Sequence, residues 1–200
     1  MNRRIGIISS CITLISVILF AIFMLFNMSS AAYAICILLA CGYIVMVSTF
    51  GTYARREVET AKNSAIAFAV IYGVFVMVVY YAQITTLTQN DLSEQAAQII
   101  DYQKFGLFFN YDLFGYGMLS VSTFFIGLTI NPENKEDKIL KVLLLVHGIF
   151  SFVVFIPMLG IFNTGMSGGD IIGILVLEVW CIYFIPICFL SYRHFKRKIN

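Results

Sequence analysis

Residues 5–26 read IGIISSCITLISVILFAIFMLF, an uncharged run set directly behind Asn2-Arg3-Arg4. At 1.5 Å per residue a helix of this length covers about 33 Å, enough to cross the roughly 30 Å hydrocarbon core of a bilayer. A secretory signal has a hydrophobic region of about 7–15 residues followed by a polar mature chain. Ala32-Tyr33-Ala34 has the form of a cleavage site, but the residues after it continue an apolar run. The first stretch is therefore expected to stay in place as a membrane helix.

Working outward, the same reading gives further spans near 31–50, 64–87, 105–130, 139–162 and 171–192. These runs are too long for strands and do not alternate polar with apolar. Helices satisfy their own backbone groups, as lipid requires. Hydrophobic residues make up 60% of the chain and charged residues 12%. Soluble domains are nearer 45–50% apolar and need far more polar surface to cover a core. The expected fold is an all-α integral membrane protein: one domain over 1–200, a bundle of six transmembrane helices, and no soluble domain. Its partner by composition is the lipid bilayer. The net charge of +2 gives no footprint for nucleic acid.

Lysines and arginines set the expected orientation. With the N-terminus inside, every basic residue except Lys104 falls on the cytoplasmic side, a strong positive-inside bias. The chain is thus read as a multi-pass protein of the cell (cytoplasmic) membrane with both termini inside. Asn131 is expected to cap the fifth span, with Pro132 at its first position. The external segment 90–104 is expected to be amphipathic, with Asp91 and Glu94 as a capping box and Leu92, Ala96, Ile99 and Ile100 on one face. Asn163–Asp170 reads as a flexible external turn. Pro157 and Pro186 are expected to kink the last two spans.

Ionisable residues within hydrocarbon are costly and mark functional sites by default. Asp112, His147 and Glu178 are the three. Asp112 and Glu178 each lie seven residues into a span running from outside to inside, roughly 10 Å below the outer boundary. Asp112, Tyr116, Ser120, Thr123 and Gly127 follow helical spacing and form one face. Tyr72, Val76, Tyr80 and Gln83 form another, and Ser9, Thr13 and Ser16 a third. The expectation is an outward-facing polar cavity lined by Gln83, Asn110, Asp112, Tyr116 and Glu178. With no lysine or arginine at that depth, the acids must be protonated, hydrated or paired with a cation. His147 is a candidate proton relay.

The five cysteines lie in apolar runs without a Cys-x-x-Cys pair, so no disulfide framework or thiol redox site is indicated. No Walker A loop, nucleophile elbow or His-Glu-x-x-His motif is present, no lysine deep in a span offers a Schiff base, and no metal or cofactor is expected. The leading expectation is binding or transport of a cationic or proton-coupled small solute. The first alternative is a non-catalytic subunit or sensor acting through helix contacts with a membrane partner or a second copy. The other is an intramembrane enzyme acting on a lipid.

Overall fold

The computed structural model describes residues 1–89, 91–160 and 171–198. Among these, the secondary structure is wholly helical: α1 (Asn2–Leu25), α2 (Ser29–Tyr53), α3 (Glu59–Ile84), α4 (Glu94–Ile100), α5 (Leu107–Thr129), α6 (Lys135–His147) and α7 (Ile171–Arg197). A 3-10 stretch, Gly148–Phe155, continues α6, and a short one, Pro157–Leu159, follows it. Five helical segments are long and apolar enough to cross a membrane: Asn2–Leu25, Ser29–Tyr53, Arg56–Ile84, Lys135–Phe155 and Ile174–Arg197. The stretch expected as span 105–130 forms α5 but is not among the five, because Asn110, Asp112 and its glycines and hydroxyls dilute its apolar character.

The long helices pack as a ring in chain order. α1 lies on α2, α2 on α3, α3 on α5, α5 on α6 and its 3-10 continuation, α6 on α7, and α7 returns to α1. Arg3 donates to the Lys196 carbonyl at 2.9 Å, so the start of α1 and the end of α7 lie at the same end of the bundle.

Polarity runs inside out. On α1, Ser9, Ser10, Thr13 and Ser16 are buried while Ile8, Ile15, Ile18 and Ile22 are exposed. Most of the buried hydroxyls return their hydrogen to their own helix, as Ser10 does to the Gly6 carbonyl and Thr13 to that of Ser9. This is how a small polar residue sits in an apolar helix without an orphaned donor. Others tie helices together: Ser122 Oγ donates to the Ala65 carbonyl at 2.7 Å and Tyr43 OH to that of Leu119 at 3.2 Å.

The turn between α1 and α2 has a local cause. Asn27 adopts the left-handed conformation (φ 55°). The Met28 N–H then reaches the Phe23 carbonyl and the Asn27 N–H that of Met24, a Schellman arrangement that closes α1.

Several expected caps and bends fall elsewhere. Asn134, not Asn131, caps α6, accepting from the Asp137 N–H, because the helix begins only at Lys135 and Asn134 is the extended residue before it. Ser93 rather than Asp91 caps α4, accepting from the Ala96 N–H. A 3-10 turn, Arg56–Val58, leads into α3, where Lys62 lies 3.7 Å from Glu59. The fifth span leaves α geometry at His147, well before Pro157, where Gly148 packs on Phe124 and Val154 on Gly117. α7 runs through Pro186 as one helix. The expected turn 163–170 lies outside the described residues.

The segment 94–104 crosses the end of the bundle opposite the termini as a strap. It rejoins α5 through Phe105 in the left-handed region and Gly106. A Cβ on Gly106 would stand 2.3 Å from the Gln98 carbonyl oxygen, a backbone atom that cannot swing aside. Gly106→Ala should therefore lift the strap and raise its amide exchange, while leaving α1–α3 packing intact. Unchanged strap exchange in that variant would show that the approach is not constrained.

Candidate functional site

α3 and α5 turn their polar faces toward each other under the strap. Asp112 is 2% exposed, and Tyr80 OH donates to its Oδ2 at 3.3 Å. Tyr102, from the strap, lies beside the same carboxyl. The other oxygen, Oδ1, is buried with no hydrogen-bond partner among the described residues. Three tyrosine rings close the site in mutual contact: Tyr33 stacks on Tyr80 with centroids 5.3 Å apart, and Tyr102 meets each of them at 6.2 Å. The ring of Phe109 supports Tyr102 from α5.

Gln83 belongs to this region through the strap. Its Nε2 donates to the Ile100 carbonyl at 2.7 Å and its Oε1 accepts from the Tyr102 N–H at 3.0 Å. Both ends of the amide are thus spent on backbone, and Gln83 acts as a catch that seats the strap over Asp112. Tyr116 lies deeper, its OH 3.9 Å from Cys36 Sγ and its ring against Tyr72 and Trp180. Asn110, two residues before Asp112, points to the exposed side of α5. Glu178 is half-buried on α7, with one oxygen buried and unpartnered among the described residues. Among the described residues no hydrogen bond joins it to Asp112. The geometry therefore groups Asp112 with Gln83 and, at a remove, Tyr116, and leaves Asn110 and Glu178 apart.

His147, 0% exposed, occupies a separate junction. Trp180 Nε1 donates to its Nε2 at 3.1 Å. An indole N–H only donates, so Nε2 must accept and Nδ1 must carry the hydrogen. Nδ1 then donates to Thr123 Oγ1 at 2.8 Å, and that hydroxyl passes its own hydrogen to the Ser120 carbonyl. The ring is saturated and joins α5, α6 and α7. A proton could be relayed here only by breaking the bond to Trp180.

At the end carrying the termini, α6 and α7 are latched by charges. Asp137, 2% exposed, accepts from Arg197 at 2.7 Å and from Asn134 Nδ2 at 3.0 Å, and its Oδ1 lies 2.9 Å from His194 Nδ1. Glu136 holds Arg193 and Arg197, and Lys198 holds Glu133 at 2.8 Å. Lys141 Nζ donates to the Ile130 carbonyl and closes the end of α5. The hydrogen bond and charge of Lys198 hold the Glu133 carboxyl below its ordinary range. A depressed carboxylate favours the folded state above its unfolded pKa and loses that contribution as pH falls through its folded value. The Glu133–Lys198 contact should accordingly loosen on acidification, read as faster amide exchange at the end of α7. Exchange there that does not respond to acid would remove this contact from the latch.

Sequence reasoning passed over Tyr33, Tyr102, Trp180 and the Asp137–His194 contact. The one signal available was the lone tryptophan, placed at the level of a buried histidine on a neighbouring span. In comparisons with known proteins, no family model, no curated protein and no solved structure matches the chain. Fold and composition define its class: an all-helical protein whose apolar helices are compatible with a membrane.

Proposed function

We propose that this chain is a six-span protein of the cytoplasmic membrane, both termini inside, that binds a proton or small cationic solute at Asp112. The inside-out polarity supports a lipid solvent, since exposed isoleucines and valines surround buried serines and threonines. α5 serves as the remaining crossing: α3 and α6 flank it, and its polar face is turned away from lipid. The basic residues gathered at the end that carries the termini support the orientation.

The observation that carries the ligand reading is the bare Oδ1 of Asp112. Among the described residues no lysine, arginine or histidine stands against it, and a carboxylate shut in an apolar bundle without one is costly by several kcal/mol and calls for a positive occupant. Thermal unfolding of the purified protein across pH and a panel of inorganic cations and amines tests this. Wild type should respond to one of these variables, and Asp112→Asn should not. Equal, unresponsive transitions in both proteins would make Asp112 a structural residue and turn attention to membrane partners.

A further inference from the structure

The site offers few ligands to a positive occupant. Oxygens at Asp112 are its two carboxyl atoms and the phenols of Tyr80 and Tyr102, and Tyr80 already directs its hydrogen at Oδ2. Calcium takes 6–8 oxygens, and magnesium demands an octahedron with several waters. Ring centroids 5.3 to 6.2 Å apart are in van der Waals contact, so no alkylammonium fits between them. The groups that face Asp112 are Tyr72 and Tyr80 from α3, Tyr33 and Cys36 from α2, Tyr116 from its own helix and Tyr102 from the strap. None brings a positive charge. From α7, Glu178 acts on the thiol of Cys181 on its own helix, and among the described residues no hydrogen bond joins it to Asp112. On the strap, Asp101 is occupied by the Gln103 N–H.

We infer that the ligand of Asp112 is a proton, and that it enters and leaves by release of the strap 94–104 from the Gln83 catch. This rests on the reading of Asp112 as a ligand site and deepens it. In the closed state Asp112 is a carboxylic acid. When the two bonds from Gln83 to the strap break, Tyr102 swings away with the strap and water reaches Oδ1. The acid O–H bond then breaks, its proton passes to that water as hydronium, and the carboxylate left behind keeps its hydrogen bond from Tyr80. Closure of the strap reverses the step. No other co-reactant is needed.

Two readouts on the whole protein in lipid nanodiscs test this. One is the infrared carbonyl band of a protonated buried carboxyl, and the other is amide exchange across 94–104, corrected for the intrinsic effect of pH. In wild type the band should vanish as pH rises, and strap exchange should increase about tenfold over the same interval. Asp112→Asn should lack the band and keep the strap protected at every pH. Gln83→Leu should expose the strap at all pH values while the band remains at low pH. Replacing sodium by potassium or choline at fixed pH should change neither readout.

Strap protection that follows sodium or choline in wild type but not in Asp112→Asn would overturn the proton and leave the cation site standing. A band that titrates over a strap indifferent to pH would overturn the gate. Absence of any band that Asp112→Asn removes, together with indifference to every cation, would overturn both this inference and the ligand site. The response of the wild-type strap to pH decides the gate even if a variant fails to fold.

Discussion

His147→Ala is expected to lower the unfolding free energy by about 3 kcal/mol, measured by reversible denaturation in mixed micelles. Two effects add. The substitution leaves the Trp180 N–H and the Thr123 hydroxyl without their shared partner at the meeting of three helices. It also opens a void among rings that now touch, since His147 stacks with Tyr183 at 5.7 Å and lies 5.3 Å from Phe184. Interhelical hydrogen bonds in membrane proteins average about 0.6 kcal/mol and reach about 1.7, so the void supplies the larger share. His147→Gln keeps an acceptor and a donor and should lose roughly 1 kcal/mol. A His147→Ala change under about 0.5 kcal/mol would mean that the junction is incidental to folding.

Asp137→Ala should cost about 2–3 kcal/mol and separate the ends of α6 and α7. Removing one partner from a buried charge cluster leaves the others uncompensated, and such losses run to about 3–5 kcal/mol when both sides are buried. Arg197 is one-third exposed, so water recovers part of the loss, and the lower figure applies. His194, nearly as buried as Asp137, keeps no acceptor at Nδ1. Asp137→Asn retains an acceptor oxygen and should fall between wild type and alanine. Glu136→Ala, which removes exposed pairs only, should be close to neutral. A Glu136→Ala effect equal to that of Asp137→Ala would place the latch at the surface instead of in the buried pair.

The helices and their inward faces were legible because hydropathy and the 3.6-residue period are local properties. Asp112, Ser120 and Thr123 fall on the buried side of α5 as their spacing requires. Their partners were not legible. Nothing local in the sequence says that Gln83 grips the backbone at Ile100 and Tyr102, because that depends on the path of the strap after α4. The matched depth of Asp112 and Glu178 suggested a shared site, yet depth along an axis says nothing about azimuth around a ring of helices. Asp112 bonds to Tyr80 across the seam of α5 with α3, and among the described residues no hydrogen bond joins Glu178 to it. The caps misread at Asn131 and Asp91 share one cause. Each loop offers several residues able to cap, and the extended path of the backbone selects among them.

The 3-10 stretch Gly148–Phe155 gives one crossing an unusual mechanical character. Three residues per turn put Gly148, Ser151 and Val154 in a single file against α5, where Gly148 meets Phe124 and Val154 fills the notch of Gly117. The same tight winding stretches the chain: eight residues at about 2.0 Å advance roughly 16 Å, against about 12 Å as α-helix. Rewinding this stretch to α would shorten it by about 4 Å and turn its far end through about 160°. A rod with one segment wound to a different pitch converts a change of winding into stroke and rotation together. In this protein that segment lies directly above His147, so the buried junction is the fixed bearing from which any such motion would start.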